Sequence, residues 1–245
     1  MGKLDITKKD WIYLIIITVC VVVIVLMSVL YITKPMDTYD DMSYYDKKCV
    51  SFITQNANLS QGQIVFVGDS ITDLYHLDDY YSDLSLATYN RGIGGDVTWG
   101  VLNRIQGSVV DLHPTKVVLM IGINDLNGGR SPESIVSNYN AILDILKSDL
   151  PTTEVYCMSI IPMNSVINWA LPCDVNVRNE QIRNINSDLM TIVNDHGYEY
   201  IDLYSQVEDE NHSLQSNLTD DGIHLNNNGF AIWTSMIKGK LSTGA

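Results

Sequence analysis

From residue 63 onward, short apolar runs alternate with longer segments in which apolar residues recur every three or four positions. Short apolar runs are typical of strands that are buried on both faces, and the longer segments are typical of amphipathic helices. Five runs have the length and composition of strands: 64–67, 86–90, 116–121, 154–161 and 199–203. This alternation predicts a single α/β domain in which helices cover a parallel sheet.

Helix boundaries are marked most clearly in the second half of the chain. Ser131-Pro132-Glu133 supplies an N-cap, a proline at the first helical position and an early acid, and Pro151 ends the helix that follows. Gly197 ends the next helix, and an asparagine within 226–228 caps a last helix that reaches residue 241. Ahead of the sheet, residues 43–56 also have helical spacing.

Residues 11–32 carry no charge over 22 positions. At about 1.5 Å per residue they form about 33 Å of helix, which matches a hydrocarbon core of about 30 Å. A cleaved signal peptide is the alternative, but its apolar region usually has about 7–15 residues and ends at an A-x-A-like site, and no such site follows here. The pattern therefore predicts a transmembrane anchor.

The charges that flank this segment predict its orientation. Lysines at positions 3, 8 and 9 precede it, whereas aspartates dominate after Lys34, so the positive-inside rule places the N-terminus in the cytoplasm. We therefore expect a cytoplasmic tail (1–10), an anchor (11–32), a tether with a short helix (33–61) and an extracytoplasmic α/β domain (62–245).

The chain beyond the predicted anchor is strongly acidic. The chain has a net charge of −14, and residues 35–245 alone carry 11 basic and 27 acidic side chains, a net charge of −16. Such a surface disfavours nucleic acid as a partner. Outside the anchor only Cys49, Cys157 and Cys173 remain, with no C-x-x-C, so a Cys157–Cys173 disulfide is left open. The histidines are scattered and no H-E-x-x-H motif occurs, so we expect neither a metal nor a cofactor.

Polar residues follow the first three predicted strands, at the edge where open α/β sheets gather their functional groups. They are Gly68-Asp69-Ser70, the stretch NRGIGGDVT at 90–98, and GIND at 122–125. Each has a plain structural explanation: a helix cap, a turn that lacks G-x-G-x-x-G spacing, and an asparagine that ties down its own loop. Together, however, they supply what acyl transfer needs, a serine nucleophile and N–H donors aimed at a developing oxyanion.

A serine nucleophile needs a base and an acid that orients it. Asp221 and His224 have the D-x-x-H spacing that lets a carboxylate accept from Nδ1 while Nε2 faces a serine. Two other pairs, Asp73…His76 and Asp209…His212, share this spacing. We favour His224 because it directly precedes the last packed helix, which would fix its position.

These motifs resemble, in order and strand context, those of the SGNH (GDSL-like) hydrolases, and NRGIGGDVTWGVLNRI is especially similar to the platelet-activating-factor acetylhydrolase alpha-subunit branch. The resemblance spans roughly residues 62–241, with Ile71 in place of the leucine of GDSL. The motifs are Gly68-Asp69-Ser70-Ile71, Asn90-x-Gly92-x-x-Gly95, Gly122-x-Asn124-Asp125 and Asp221-x-x-His224.

The resemblance implies a flavodoxin-like three-layer sandwich with strand order 2-1-3-4-5. It implies that Ser70 is the nucleophile, His224 the base and Asp221 its partner. The oxyanion hole would consist of the Ser70 and Gly95 N–H groups and the Asn124 side chain. Asp69, Asp96 and Asp125 are expected to hold loops together.

We therefore expect a membrane-anchored, extracytoplasmic serine esterase that removes short, acetyl-type acyl groups from carbohydrate or other small esters. The alternatives are a lysophospholipase or lipase, an acyltransferase that uses the same residues, and an anchored binding module without activity. The loop 162–177 and the aromatic residues Tyr80, Tyr81 and Trp99 could either shape the pocket or cover the sheet.

Overall fold

The apolar run at 64–67 forms a strand inside the sheet, with a parallel neighbour on each side. In the computed structural model, which describes residues 17–19, 21–23, 42–167 and 173–242, the strands make a five-stranded parallel sheet of order β2-β1-β3-β4-β5. The strands are β1 (Ile64–Gly68), β2 (Thr88–Gly92), β3 (Lys116–Met120), β4 (Glu154–Met158) and β5 (Glu199–Ile201). The parallel sheet that the alternation predicted and the strand order that the resemblance implied are confirmed.

The helices follow the predicted alternation. They are α1 (Tyr44–Asn56), α2 (Ser70–Asp73), α3 (Leu77–Tyr81), α4 (Thr98–Ser108), α5 (Ile123–Asn127), α6 (Pro132–Asp149), α7 (Val175–Asp195), α8 (Tyr204–Val207) and α9 (Asn227–Leu241), with 3-10 turns at Val110–Leu112 and Ser216–Leu218. Ser131 caps α6 and Asn226 caps α9 through side-chain oxygens. Both caps agree with the sequence signals.

Helices cover both faces of the sheet. On one face the Phe66 ring lies 5.3 Å from that of Tyr81, and Tyr75 stacks on Phe230 of α9. On the other face Val67 is in register with Leu119, and α4, α6 and α7 pack side by side. All five residues of β1 are buried, because each side of the strand contacts a helical layer.

Three strands, β2, β4 and β5, differ by two or more residues from the predicted runs, and β5 ends at Ile201 instead of residue 203. β2 starts two residues later than residue 86 because its ladder with β1 begins at Ile64↔Thr88. Its polar residue Asn90 donates to the carbonyls of Thr72 in α2 and of Tyr75 just after it. The run 154–161 leaves the sheet after Met158. Both backbone groups of Ile160 bond to the Asn186 side chain of α7, which replaces a strand partner.

The N-terminal predictions fall mostly outside the described residues. The chain divides into two units, residues 1–44 and residues 45–245. Within the first, residues 17–19 and 21–23 are helical, and the rest of the predicted anchor at 11–32 lies outside the part that the structure describes. In the described part, no helix has the length and apolar character needed to cross a membrane. The second unit includes nearly all of α1, which the sequence analysis had assigned to the tether.

Candidate active site

Ser70, His224 and Asp221 form one chain of hydrogen bonds. His224 Nε2 lies 2.8 Å from Ser70 Oγ, and His224 Nδ1 lies 2.6 Å from Asp221 Oδ2. Ser70 begins α2 after the end of β1, with only Asp69 between them as the N-cap, and His224 stands two residues before the cap of α9. The structure therefore brings together the three residues that the sequence predicted, although 154 positions separate the serine from the histidine.

A tight turn fixes the carboxylate of Asp221. Its Oδ1 accepts from the N–H groups of Ile223 and His224, at 2.9 and 2.8 Å, which leaves Oδ2 for the imidazole. Partial burial acts to raise the pKa of Asp221, but the bonds from the His224 ring and the two N–H groups outweigh it and hold this pKa below its ordinary value. The ionised form that would hold an imidazolium is thus the favoured one.

Three N–H donors lie on the segments around Ser70. Gly95 has φ +78°, a left-handed conformation that side chains rarely adopt, and it is exposed. The N–H groups of Gly95 and Ser70 have no hydrogen-bond partner within the described ranges. Asn124 lies in the first turn of α5, and its Nδ2 donates to the Asp96 carbonyl at 2.9 Å, which fixes the amide and leaves its second N–H. These groups are suited to bind an oxyanion.

Each donor residue has a buried aspartate next to it in the chain: Asp69, Asp96 and Asp125. Asp69 accepts from the Ile71 N–H, and Asp125 accepts from both the N–H and the hydroxyl of Thr98. Burial raises the pKa of each, and it raises that of Asp69 to about 7, helped by the nearby charges of Asp96 and Asp125. As expected from the sequence, these aspartates tie loops together.

Two buried arginines were not singled out in the sequence. Arg104 donates to Asp96 and Arg91 donates to the side chains of Gln55 and Asn56, and both guanidinium groups lie over the Phe52 ring of α1. One signal was available for Arg104: it lies three residues after Val101, on the apolar face of α4. A charge at an apolar helix position indicates a buried partner.

Two of the other histidines have structural surroundings. His212 bonds to Glu208, and His196 at the end of α7 bonds to Asp144 and to the Ile192 carbonyl. Across the described ranges, no group of three or more His, Cys, Asp or Glu residues could hold a metal ion. Cys49, Cys157 and Cys173 are free.

One cavity has chain neighbours of the triad in its lining. Its volume is about 460 Å³, and it is lined by Asp220 and Leu225, which are next to Asp221 and His224 in the chain, and by Leu74, His76, the run 226–228 and Phe230. Of the aromatic residues considered from the sequence, Tyr81 is 2% exposed and belongs to the core, whereas Trp99 is 59% exposed in the first turn of α4.

In the loop 162–177, residues 168–172 lie outside the described part, and the start of α7 at Val175 shortens the loop.

Comparison with known proteins agrees with this geometry. The model of the GDSL-like Lipase/Acylhydrolase family matches residues 66–232, more than half of the chain. The chain belongs to this family. Its Gly68-Asp69-Ser70-Ile71 segment stands where the family name reads GDSL.

Three individual proteins are similar to this chain at low sequence identity. The human platelet-activating factor acetylhydrolase IB subunit alpha1 is 32% identical over 103 residues, 41% of this chain and 44% of the relative, so the chain spans under half the length of the curated relatives it matches. A Streptococcus pneumonia structure described as a platelet activating factor is 27% identical, with a TM-score of 0.72 over 81% of this chain and 92% of the other. An acetylxylan esterase of Geobacillus stearothermophilus shares the fold, with 16% identity and a TM-score of 0.60 over 76% of this chain and 97% of that one.

Proposed function

We propose that the protein is a serine ester hydrolase that removes short acyl groups, chiefly acetyl, from carbohydrate or other polar esters, and that it is anchored in a membrane with this domain outside the cytoplasm. The observation that carries the proposal is the hydrogen-bonded chain Asp221–His224–Ser70; the donors of Gly95 and Asn124 follow the two strands that flank the Ser70 strand. Membership of the GDSL-like family supports the reaction class.

The proposed reaction has two steps. Ser70 Oγ attacks the ester carbonyl as its proton passes to His224 Nε2, and the carbonyl oxygen becomes an oxyanion bound by the N–H groups of Ser70 and Gly95 and the Asn124 amide. The C–O bond to the alcohol then breaks, and His224 returns the proton to the leaving alkoxide. In the second step His224 takes a proton from water and hydroxide adds to the acyl-serine carbonyl. The bond from the acyl carbon to Ser70 Oγ then breaks, His224 returns the proton to Oγ, and the carboxylic acid is released.

Two observations favour a small acyl group on a polar alcohol. The names of two relatives, an acetylhydrolase subunit and an acetylxylan esterase, both specify acetyl. A cavity whose lining includes the chain neighbours of Asp221 and His224 presents the polar side chains of His76, Asp220 and Asn226, which suits a hydroxyl-rich leaving group.

Lipid esters are the second candidate. Leu74 and Trp99 are 49% and 59% exposed, and both lie on segments that begin at the active-site edge of the sheet. Exposed apolar side chains of this kind could accept a longer acyl chain.

The test of the proposed function is turnover of p-nitrophenyl acetate by Ser70→Ala. The loss should be on the order of 10⁵–10⁶, because nucleophile and base act as a unit. Ser82→Ala, at an exposed serine that ends α3, is the matched control and should keep full activity. A fluorophosphonate probe should label the wild type but not Ser70→Ala. Full activity in Ser70→Ala would exclude the serine-hydrolase mechanism.

A further inference from the structure

We infer that Arg104 is a positioning residue for the oxyanion hole, which it holds in place through a buried ion pair with Asp96. The inference rests on the proposed function of Ser70 and assigns a role to a side chain that does not contact substrate. It follows from three sets of contacts: those of the guanidinium, those of the Asp96 backbone and those of helix α1.

The guanidinium of Arg104 joins two of the chain segments that carry donors. Its Nε donates to Asp96 Oδ2 at 2.8 Å, and its Nη2 donates to the Gly68 carbonyl at 3.1 Å. Gly68 ends β1 two residues before Ser70, and Asp96 directly follows Gly95. A planar guanidinium fixes the directions of its N–H groups, so these two bonds set the spacing between the segments.

The third donor is tied to the same pair through the backbone. The Asn124 Nδ2 donates to the Asp96 carbonyl at 2.9 Å. The position of Asp96 therefore affects both the direction of the Gly95 N–H and the orientation of the Asn124 amide. No described side chain other than that of Arg104 makes an ion pair with Asp96.

Burial makes this pair stiff. The side chains of Arg104 and Asp96 are 4% and 1% exposed, and the Phe52 ring of α1 lies 5.8 Å from the guanidinium carbon. Tyr45 of the same helix donates to the Gly100 carbonyl, which holds α1 against α4. With water excluded, the charge-assisted bonds are stronger than they would be at the surface.

Gly100 adds an independent indication that the carboxylate position matters. A Cβ at this position would overlap Asp96 Oδ1, so only glycine leaves room for the carboxylate at the first turn of α4. The substitution Gly100→Ala should therefore displace Asp96 without changing any charge.

The experiment compares kcat and KM of the full-length enzyme on p-nitrophenyl acetate. Arg104→Gln should lower kcat about 10- to 100-fold with KM changed less than about threefold, since a misplacement of about 1 Å at a catalytic group costs on the order of 10². Arg91→Gln is the matched control: Arg91 is also buried and lies over Phe52, but it bonds to α1 instead of Asp96. Its kcat should stay within about threefold of the wild type.

A double mutant separates positioning from general destabilisation. Because Arg104 acts partly through Asn124, Arg104→Gln should cost at least about threefold less in kcat in an Asn124→Ala background than in the wild type. Multiplicative losses, or an Arg104→Gln enzyme that behaves like Arg91→Gln, would overturn the inference. Asp96→Asn and Gly100→Ala give the same test if Arg104→Gln does not fold, and unchanged kcat in both would refute it.

Ser70→Ala, measured in the same series, distinguishes failure of the positioning role of Arg104 from failure of the proposed function. If Ser70→Ala abolishes turnover while the Arg104 variant keeps it, only the positioning role fails. If the wild type does not hydrolyse the ester, or if Ser70→Ala hydrolyses it equally well, the proposed function fails and takes the positioning role with it.

Discussion

Replacing Asp69 by asparagine should remove a pH-dependent loss of stability. Asp69 is 1% exposed, and burial raises its pKa from 3.8 to about 7. Asparagine keeps the oxygen that accepts from the Ile71 N–H at 3.0 Å but carries no charge at any pH. The variant should therefore retain the turn before α2 and lose only the ionisation.

The direction in which the free energy of unfolding changes with pH follows from proton binding. Since the pKa of Asp69 is higher in the folded than in the unfolded state, the folded protein holds this proton more tightly, and unfolding releases it between about pH 3.8 and pH 7. The stabilising contribution is complete below pH 3.8 and is lost as the pH rises through about 7. For pKa values of 3.8 and about 7, the loss between pH 5 and pH 8 amounts to about 2–3 kcal/mol.

The assay is urea unfolding of both proteins from pH 5 to pH 8, followed by the fluorescence of tryptophans that include the fully buried Trp233. The free energy of unfolding of Asp69→Asn, relative to wild type, should rise by about 2–3 kcal/mol over this range. Other titrating groups cancel to first order in this difference. If the two free energies change in parallel with pH, Asp69 is ionised in the folded protein and the reasoning is wrong.

Three further predictions concern the site and the anchor. Asp221→Asn should lower kcat on p-nitrophenyl acetate on the order of 10³–10⁴ with little change in melting temperature, because the amide no longer stabilises an imidazolium; an unchanged rate would exclude its role. Catalytic efficiency should fall from acetyl and butyryl esters to esters of ten or more carbons, and phospholipid vesicles should be poor substrates; a rise with chain length would favour lipid esters. Full-length protein should stay with membranes through a carbonate wash because of residues 11–32, and release of a shortened soluble product would instead indicate a signal peptide.

The sequence predicted those parts of the fold that local patterns determine. Ser131, Pro132 and Pro151 bound α6 because capping and proline geometry depend only on neighbouring residues. The strand order came from the family resemblance, since periodicity alone does not order strands. The residues of the triad were identifiable because the end of β1 and the turn before α9 each carry a short motif.

Long-range contacts explain what the sequence analysis missed. The packing of α1 depends on Arg91, which bonds to Gln55 and Asn56 some 35 residues earlier. Nothing in the spacing of residues 44–56 indicates that partner. The early end of β4 likewise depends on Asn186, whose amide replaces a strand partner at Ile160. Side-chain to backbone bonds of this kind are invisible to hydrophobic periodicity.

The charges around Ser70 limit how this site can stabilise an oxyanion. Asp69, Asp96 and Asp125 all have a raised pKa, so their surroundings disfavour further negative charge. The buried guanidinium of Arg104 pairs with Asp96, and this bond already offsets its charge. The oxyanion must then be held by N–H dipoles, which act only at short range and only when they point at the oxygen. A site of this kind depends on the placement of its donors more than on net charge, and this is the reason that a buried ion pair behind Gly95 and Asn124 would bear on the rate.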